Sequence, residues 1–363
     1  MKPSVRRIRT WVFLALDAGL LAAFLGGYLG RYVHPSWFWW FQLLAIALPY
    51  VATALVPATV AVAFARRKGW LRVHLAALLL AAIRFFPFHG TAEAAGELRM
   101  LSFNIGHLEP FTAAQSEDVL LALTDDIESD LYVLQDLLIR YRRREQRIVN
   151  YPNLEGHLED AGVTVHAEGA HRIETTFQPV WARTERVRLL EEERIKMATD
   201  DSVSMGVTRV RFAWEGREAV LYNVHLRTFG MRKPWNDAER SLLSIAFWRS
   251  YLGQYRQAFL LRAIESESIR ALMDRETLPV IVSGDFNSTV HNWSYYHLAR
   301  GMQDAFVVAG SGFGNTYHSH YPMVRIDHVL ASKAWAIREA EVVRSITYSD
   351  HLPLRVVLGW RVE

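Results

Sequence analysis

The chain has 363 residues, 51% of them hydrophobic, and a formal net charge of +3. It contains no cysteine, which excludes a disulfide framework, a thiolate nucleophile and a zinc–thiolate site. The basic excess is confined to residues 1–97, with ten Lys or Arg against three Asp or Glu; residues 98–363 carry 31 against 35, a net −4, so no general cationic field gathers polyanions there.

Residues Trp11–Gly30 form an apolar run interrupted by a single charge, Asp17, and Trp37–Ala65 form a longer uncharged one. Both meet the ~20-residue requirement for a spanning helix. Pro49 and Pro57 are expected to bend the second, and Trp37, Phe38, Trp39 and Trp40 form an expected interfacial aromatic belt. Trp70–Phe88 is a weaker third span, with Arg72 and His74 near one end and Arg84 near the other. The arginines can snorkel to the interfaces, and the competing reading is an interfacial amphipathic helix. A cleavable signal peptide is not expected, because the first run exceeds the usual ~7–15 apolar residues and a second span follows. Lys2, Arg6, Arg7 and Arg9 precede the first span, and Arg66, Arg67, Lys68 and Arg72 follow the second. The positive-inside rule puts both clusters in the cytoplasm, and a third span then puts everything after Phe88 on the outer, periplasmic or extracellular, side. The expected organisation is an anchor over 1–88 (helices at about 11–30, 37–65 and 70–88), a linker over 89–97 and a second domain over 98–363. Nine linker residues reach at most roughly 30 Å, which holds that domain close to the bilayer.

Within 98–363, Leu98–Gly106 and Asp130–Leu137 read as strands, separated by a helical stretch from Glu117 to Ile127. Thr175–Thr184, Ser204–Trp214 and Glu218–Thr228 follow, the last two joined by the turn Glu215-Gly216-Arg217. Trp235–Met273 has no Pro and a single Gly, Gly253, and is helical in pattern. Val280–Val282, Arg325–Ser332 and His351–Trp360 are further strands. Many strands with few helices predict an α+β layered domain, a sheet sandwich flanked by helices.

The stretch 279–288, PVIVSGDFNS, is a short β-branched strand ending in Gly284, Asp285 and Asn287. A carboxylate and an amide two residues apart on an extended chain face one side, although a plain turn explains any single Asp-x-Asn. Other strand ends carry similar groups: Asn104, Asp136 after Gln135, His225, Asp327 with His328, and Asp350 with His351. Each alone has a bland reading as a cap, a turn or a satisfied core histidine. Together they supply oxygen ligands for a hard cation (Asn104, Asp136, Asp350) and groups for proton transfer and phosphate binding.

The order of SFNI, LQD, NVHL, SGDFNS, RIDHVL and SDHLPL resembles the endonuclease/exonuclease/phosphatase superfamily, the DNase I-like fold, over roughly Leu98–Arg361. Three N-terminal spans joined to such a domain are similar to a bacterial membrane-anchored subgroup. The resemblance implies a four-layered α/β/β/α sandwich and a divalent-metal-dependent hydrolase of phosphoester bonds. It implies Asp285 as the water-activating base, with Asn287 and His225 on the phosphate oxygens and His351 polarising the phosphate, oriented by Asp327. Asn104, Asp136 and Asp350 are the implied ligands of Mg²⁺, or of Mn²⁺ or Ca²⁺. Asp136 departs from the family's glutamate, one methylene shorter, and His328 stands where an aromatic is usual, either supporting the site residues from behind or purely structural.

The competing reading is a weak or inactive binding module of the same fold, its metal site altered at Asp136. The joint presence of His225, Asp285, Asn287, Asp350 and His351 argues against it. The expected partners are the lipid bilayer and a phosphoester substrate, a lipid head group or nucleic acid, and no protein partner is inferable. The acidic domain and short tether favour a substrate at the membrane. Phe229–Tyr255, rich in Arg and aromatics, reads as a lid, as a surface resting on lipid, or as an ordinary packing helix.

Overall fold

The computed structural model describes residues 5–86, 92–106, 113–137, 154–165, 167, 178–197, 206–230, 234 and 243–362. In chain order the elements are α1 (Val5–Leu29), α2 (Pro35–Phe38), α3 (Trp40–Phe64), α4 (Lys68–Phe85), β1 (Ala94–Asn104), α5 (Ala113–Asp126), β2 (Leu131–Gln135), α6 (Leu154–Asp160), β3 (Val163–Thr164), β4 (Val180–Arg183), β5 (Val187–Ile195), β6 (Val207–Trp214), β7 (Arg217–His225), α7 (Ile245–Met273), β8 (Val280–Asp285), α8 (Trp293–Ala299), β9 (Gln303–Asp304), α9 (Ala305–Ala309), β10 (Asp327–Ala331), β11 (Trp335–Val342) and β12 (Leu354–Arg361). They divide into two compact units. One comprises Met1–Phe88, Arg232–Ala263 and Thr289–Tyr296; the other comprises His89–Met231, Ile264–Ser288 and His297–Glu363.

The first unit is a helical bundle. Two of its helices, α1 and α3, are long and apolar enough to cross a membrane by length and composition. Small residues let them approach: a Cβ on Gly27 would lie 2.5 Å from the Leu44 carbonyl oxygen, so only glycine fits. Phe24, Leu48, Leu55, Ala77 and Ala81 are buried between the helices, while Leu16, Val56, Leu79 and Ile83 point outward. Pro49 and Pro57 lie inside α3 without interrupting it, and Thr53 Oγ1 donates to the Pro49 carbonyl (2.9 Å). The expected second span breaks at Trp39 into α2 and α3. Two polar residues of the third run, His74 and Arg84, turn inward, while Arg72 is exposed. His74 is fully buried on α4, with Nε2 3.1 Å from the Asp17 carboxylate on α1 and Nδ1 3.1 Å from Thr59 Oγ1 on α3. Arg84 Nη2 donates to the Tyr28 carbonyl (3.0 Å), which places the C-terminal end of α4 beside that of α1. At the same end Asn292 Nδ2 and the Trp293 amide donate to Gln42 (both 3.0 Å), and His34 meets the Trp293 ring edge-on.

The second unit holds two six-stranded mixed sheets, ordered β11-β12-β1-β2-β4-β3 and β5-β6-β7-β8-β10-β9. Alternation along the strands assigns the faces. Leu98 and Met100 on β1, Leu131 and Val133 on β2, Leu221 on β7, Ile281 on β8 and Val329 on β10 share one core between the sheets. Leu101, Phe103, Tyr132 and Leu134 point the other way, into a second core with Leu120 and Leu123 of α5 and Leu158 of α6. On the second sheet, Glu265 of α7 accepts the Arg227 amide (2.8 Å). Glu276, just beyond α7, accepts from Arg209 and Tyr222 (2.7 and 2.6 Å). Two sheets flanked by helices form the expected α/β/β/α sandwich.

The hairpin β6–β7 turns through Glu215 (φ 46°) and Gly216 (φ 73°), the two left-handed residues a tight hairpin with the native twist requires. Four strands escaped the sequence reading, β3, β5, β9 and β11, and all are sheet edges. Two of them, β3 and β9, are only two residues long, and in β5 charged residues such as Glu191–Glu193 dilute the apolar alternation and discourage further pairing. Strand β1 starts at Ala94, inside the expected linker, so the tether is shorter than nine residues. The helix expected over Trp235–Met273 starts at Ile245; residues 235–242 lie outside the described residues.

Candidate active site

The same alternation that fills the inter-sheet core with Leu and Val delivers polar groups at one end of it. On β1 the inward series Leu98, Met100, Ser102 ends in Asn104. On β2, Leu131 and Val133 lead to Gln135. On β7, Ala219, Leu221 and Asn223 lead to His225, and on β8, Ile281 and Ser283 lead to Asp285. Strand register sets these ends side by side: Asn104 opposes Gln135, His225 opposes Asp285 across the parallel β7–β8 pair, and Asp285 opposes Asp327 across the antiparallel β8–β10 pair. Two carboxylates directly opposite each other work against sheet stability, so this pairing is kept for another reason. Gly284 (φ 138°) makes it possible, because a Cβ there would lie 2.0 Å from the Val224 carbonyl oxygen.

Asp285 is the hub. It is 1% exposed, and its Oδ2 accepts from Asn104 Nδ2 and Asn287 Nδ2 (both 3.0 Å) while Oδ1 accepts the Asn287 amide (2.7 Å). His225 Nε2 and His351 Nε2 lie 3.5 and 3.7 Å from Oδ2. Each histidine has a second carboxylate behind it: His225 Nδ1 is 3.1 Å from Asp136, and His351 Nδ1 is 2.9 Å from Asp327. Burial opposes protonation of both rings, but the carboxylates outweigh it. Asp136, with Asp285, raises the pKa of His225 to about 9, and Asp327, with Asp285, raises that of His351 to about 10. Burial lifts the Asp285 carboxyl above the ordinary range; His351 and His225 pull it back, and Asp327 adds to the rise. Asp285, Asp327 and His351 each present an atom within 4.8 Å of the others, a grouping able to hold a metal ion.

The backbone is strained where the site needs it. Asp136 (φ 53°) and Asn287 (φ 47°) are two of the four non-glycine residues with positive φ among the described residues. The left-handed region tolerates Asp better than the longer Glu, a physical reason for the departure at position 136. Asn287 Nδ2 also donates to the Leu226 carbonyl (3.0 Å), so both its amide hydrogens hold the loop and Asp285. Asp350, the third expected metal ligand, is exposed at the rim, and its carbonyl accepts the Ser319 amide (2.8 Å). Its neighbour Ser349 donates to the Asn104 carbonyl (2.7 Å), tying the SDH segment to the end of β1.

His328 faces away from Asp327, with Nε2 2.8 Å from the Ser288 carbonyl and Nδ1 3.7 Å from Asp304. Burial works against ionising Asp304, but Arg325 (2.8 Å) and His328 hold its carboxyl well below the usual range.

Two groups were missed by the sequence reading. Asn223 donates to the Leu134 and Pro179 carbonyls (2.8 and 3.0 Å) and accepts from Gln135 Nε2 (2.9 Å), an amide clamp from one sheet to the other just below Asp136 and His225. The Asn-x-His spacing was its signal, since on a strand both residues share a face. Tyr317 places its ring 5.0 Å from the His351 ring; burial, then Asp350 and Asp285, push its pKa up to about 12. It comes from an irregular loop and left no periodic signal.

The model of the Endonuclease/Exonuclease/phosphatase family matches residues 101–351. The chain belongs to this family. Solved structures agree on the fold. A family member from Bacteroides thetaiotaomicron is 15% identical with a TM-score of 0.50, covering 74% of this chain and 98% of that one. A mannosyl-6-phosphatase of the same organism is 16% identical with a TM-score of 0.50, covering 72% and 100%. Humanized D. rerio TDP2 carrying 14 mutations is 15% identical with a TM-score of 0.50, covering 73% and 100%. No curated protein matches the sequence. Family membership and the Asp/Asp/His cluster support a phosphoester hydrolase.

Proposed function

We propose that this family member is a membrane-anchored, divalent-metal-dependent phosphoester hydrolase. The observation that carries the reading is the buried Asp285 hub between two histidines, each with a carboxylate behind it. A carboxylate whose proton affinity is raised by burial, set between two histidines, suits the abstraction of a proton from water. Asn104 and Asn287 fix its oxygens. The water oxygen attacks phosphorus as its proton passes to Asp285, the phosphorus–oxygen ester bond breaks, and the leaving oxygen takes up a proton from solvent; His225 and His351, both cationic at neutral pH, face the phosphate oxygens, and Asp327 orients His351. Asn287 reaches the phosphate by giving up its contact with the Leu226 carbonyl.

The donor set fits a hard dication. The site has a surplus of carboxylates over histidines, an amide oxygen on Asn104, and no thiolate. Asn104 and Asp136, with Asp350 at the rim, are the residues that would hold Mg²⁺ or Mn²⁺, which supplies positive charge to the phosphate or the leaving oxygen.

The anchor is proposed to span three times. The inward-turned Asp17–His74–Thr59 contacts offset the cost of His74 on α4, and its end lies beside that of α1. With both basic clusters cytoplasmic, the chain after α4 emerges on the outer side. The substrate proposed is a phosphoester at the membrane, a lipid head group ahead of nucleic acid, since residues 98–363 carry a net negative charge. The test is hydrolysis by the full-length protein with Mg²⁺ or Mn²⁺ against phospholipid, single-stranded DNA and sugar-phosphate substrates. Absence of turnover on all of them, with the fold intact, favours the binding-module reading.

A further inference from the structure

The first turns of α7 have a face that nothing in the proposed catalysis uses. Residues 245–264 carry three arginines and no acid, whereas acids begin at Glu265. Ile245, Trp248, Arg249, Leu252, Gly253 and Arg256 recur at helical spacing and line one groove of about 520 Å³ together with Trp39. Tyr251 and Ala258, on the far side of this segment, are buried. The groove face is bare: Leu243 is 99% exposed and Ile245 85%. Arg249 and Arg256 are two turns apart, about 10 Å along the axis, both exposed, and this stretch of the helix offers neither an acid. Trp39 joins α2 to α3, amid the exposed aromatics Trp37, Phe38 and Trp40, where a spanning helix meets the head groups.

We infer that this groove binds an anionic phospholipid, its acyl chain along Trp39, Trp248 and Leu252 and its phosphate on Arg249 and Arg256. The inference rests on the membrane-anchor reading. An apolar groove rimmed only by cations is unfavourable in water, and it complements an acyl chain bearing a phosphate. Its volume falls in the ~300–1,000 Å³ range of ligand clefts. Two guanidiniums offer bidentate hydrogen bonds to phosphate oxygens, which zwitterionic lipids present beside a competing internal ammonium. Continuity with the aromatic belt puts the groove at the depth where such a lipid lies.

The experiment uses the full chain in nanodiscs of phosphatidylcholine with one-fifth phosphatidylglycerol, read by native mass spectrometry of lipid retained on the released protein. Wild-type protein is expected to retain phosphatidylglycerol over phosphatidylcholine. Arg249→Gln with Arg256→Gln should lose about fivefold in retention per arginine removed, while Arg249→Lys with Arg256→Lys keeps most of it. Leu252→Asn should weaken retention with the arginines intact. Equal retention of the two lipids by wild type, or no change in the double glutamine variant, overturns the inference. Should the double variant fail to fold, the wild-type lipid preference and the Leu252→Asn result decide. Carbonate extraction of native membranes tests the anchor by itself: release of the protein overturns both readings, whereas a retained protein without lipid preference overturns the groove alone.

Discussion

At the scale of single residues, one carboxylate sets the terms. Asp285 opposes Asp327 across a strand pair and is fully buried, a placement that costs stability. Asp285→Asn is therefore expected to lower turnover by roughly 10²–10⁴-fold. No fall in melting temperature should accompany it, because the like-charge opposition is relieved. Near-normal turnover by this variant would remove Asp285 from the role of base. Asp136 holds His225 from behind and stands at positive φ. Asp136→Ala should raise the Mg²⁺ concentration needed for half-maximal activity, and Asp136→Glu should keep Mg²⁺-supported activity with a lower melting temperature, since the longer side chain fits the left-handed backbone less well. Metal titration of the three proteins checks both; an unchanged requirement in Asp136→Ala would take it out of the metal-binding set.

At the scale of elements, buried ion pairs fix the supports of the site. Asp304, at the head of α9, caps the Val307 amide (2.9 Å) and pairs with the buried Arg325. Asp304→Ala leaves that guanidinium buried without its carboxylate and should cost about 3–5 kcal/mol, measured by denaturant unfolding. The sign with pH follows from a depressed folded-state pKa. The pair's contribution is fully present above the unfolded aspartate value of ~3.9 and is lost as the pH falls toward the folded value. The stability difference between wild type and Asp304→Ala should therefore shrink below about pH 4. In the helical bundle, His74 joins α1, α3 and α4 through Asp17 and Thr59. His74→Leu should lower the melting temperature in detergent modestly, as interhelical hydrogen bonds there are worth about 0.6–2 kcal/mol.

For the whole molecule, the third helix decides where the chemistry happens. An alkaline phosphatase fusion after Glu97 should be active in a bacterial host, which places the hydrolase domain outside. A fusion that is inactive as phosphatase yet fluorescent as a cytoplasmic reporter would mean two spans, and would shift the substrate toward intracellular phosphoesters.

Much of this was legible in the chain. Long apolar runs, the basic clusters beside them and the order of short polar motifs are local patterns, set by bilayer thickness and strand periodicity. They were enough for two long apolar N-terminal helices, the sandwich and its family. Edge strands such as β5 were hidden because solvent-facing charge replaces the apolar period there. What no local pattern contains is register. Asp285 meets Asp327 and His225 because β8 pairs with β10 on one side and β7 on the other, and shifting either by one residue would turn the carboxylate away from the core. The inter-sheet clamp of Gln135 with Asn223, the pairing of His74 with Asp17 across 57 residues, and the two histidines cationic around one buried carboxylate likewise exist only once distant segments are close. Composition and period set which side chains are available and which way they face; burial in low dielectric, which is a property of the assembled fold, sets what they do.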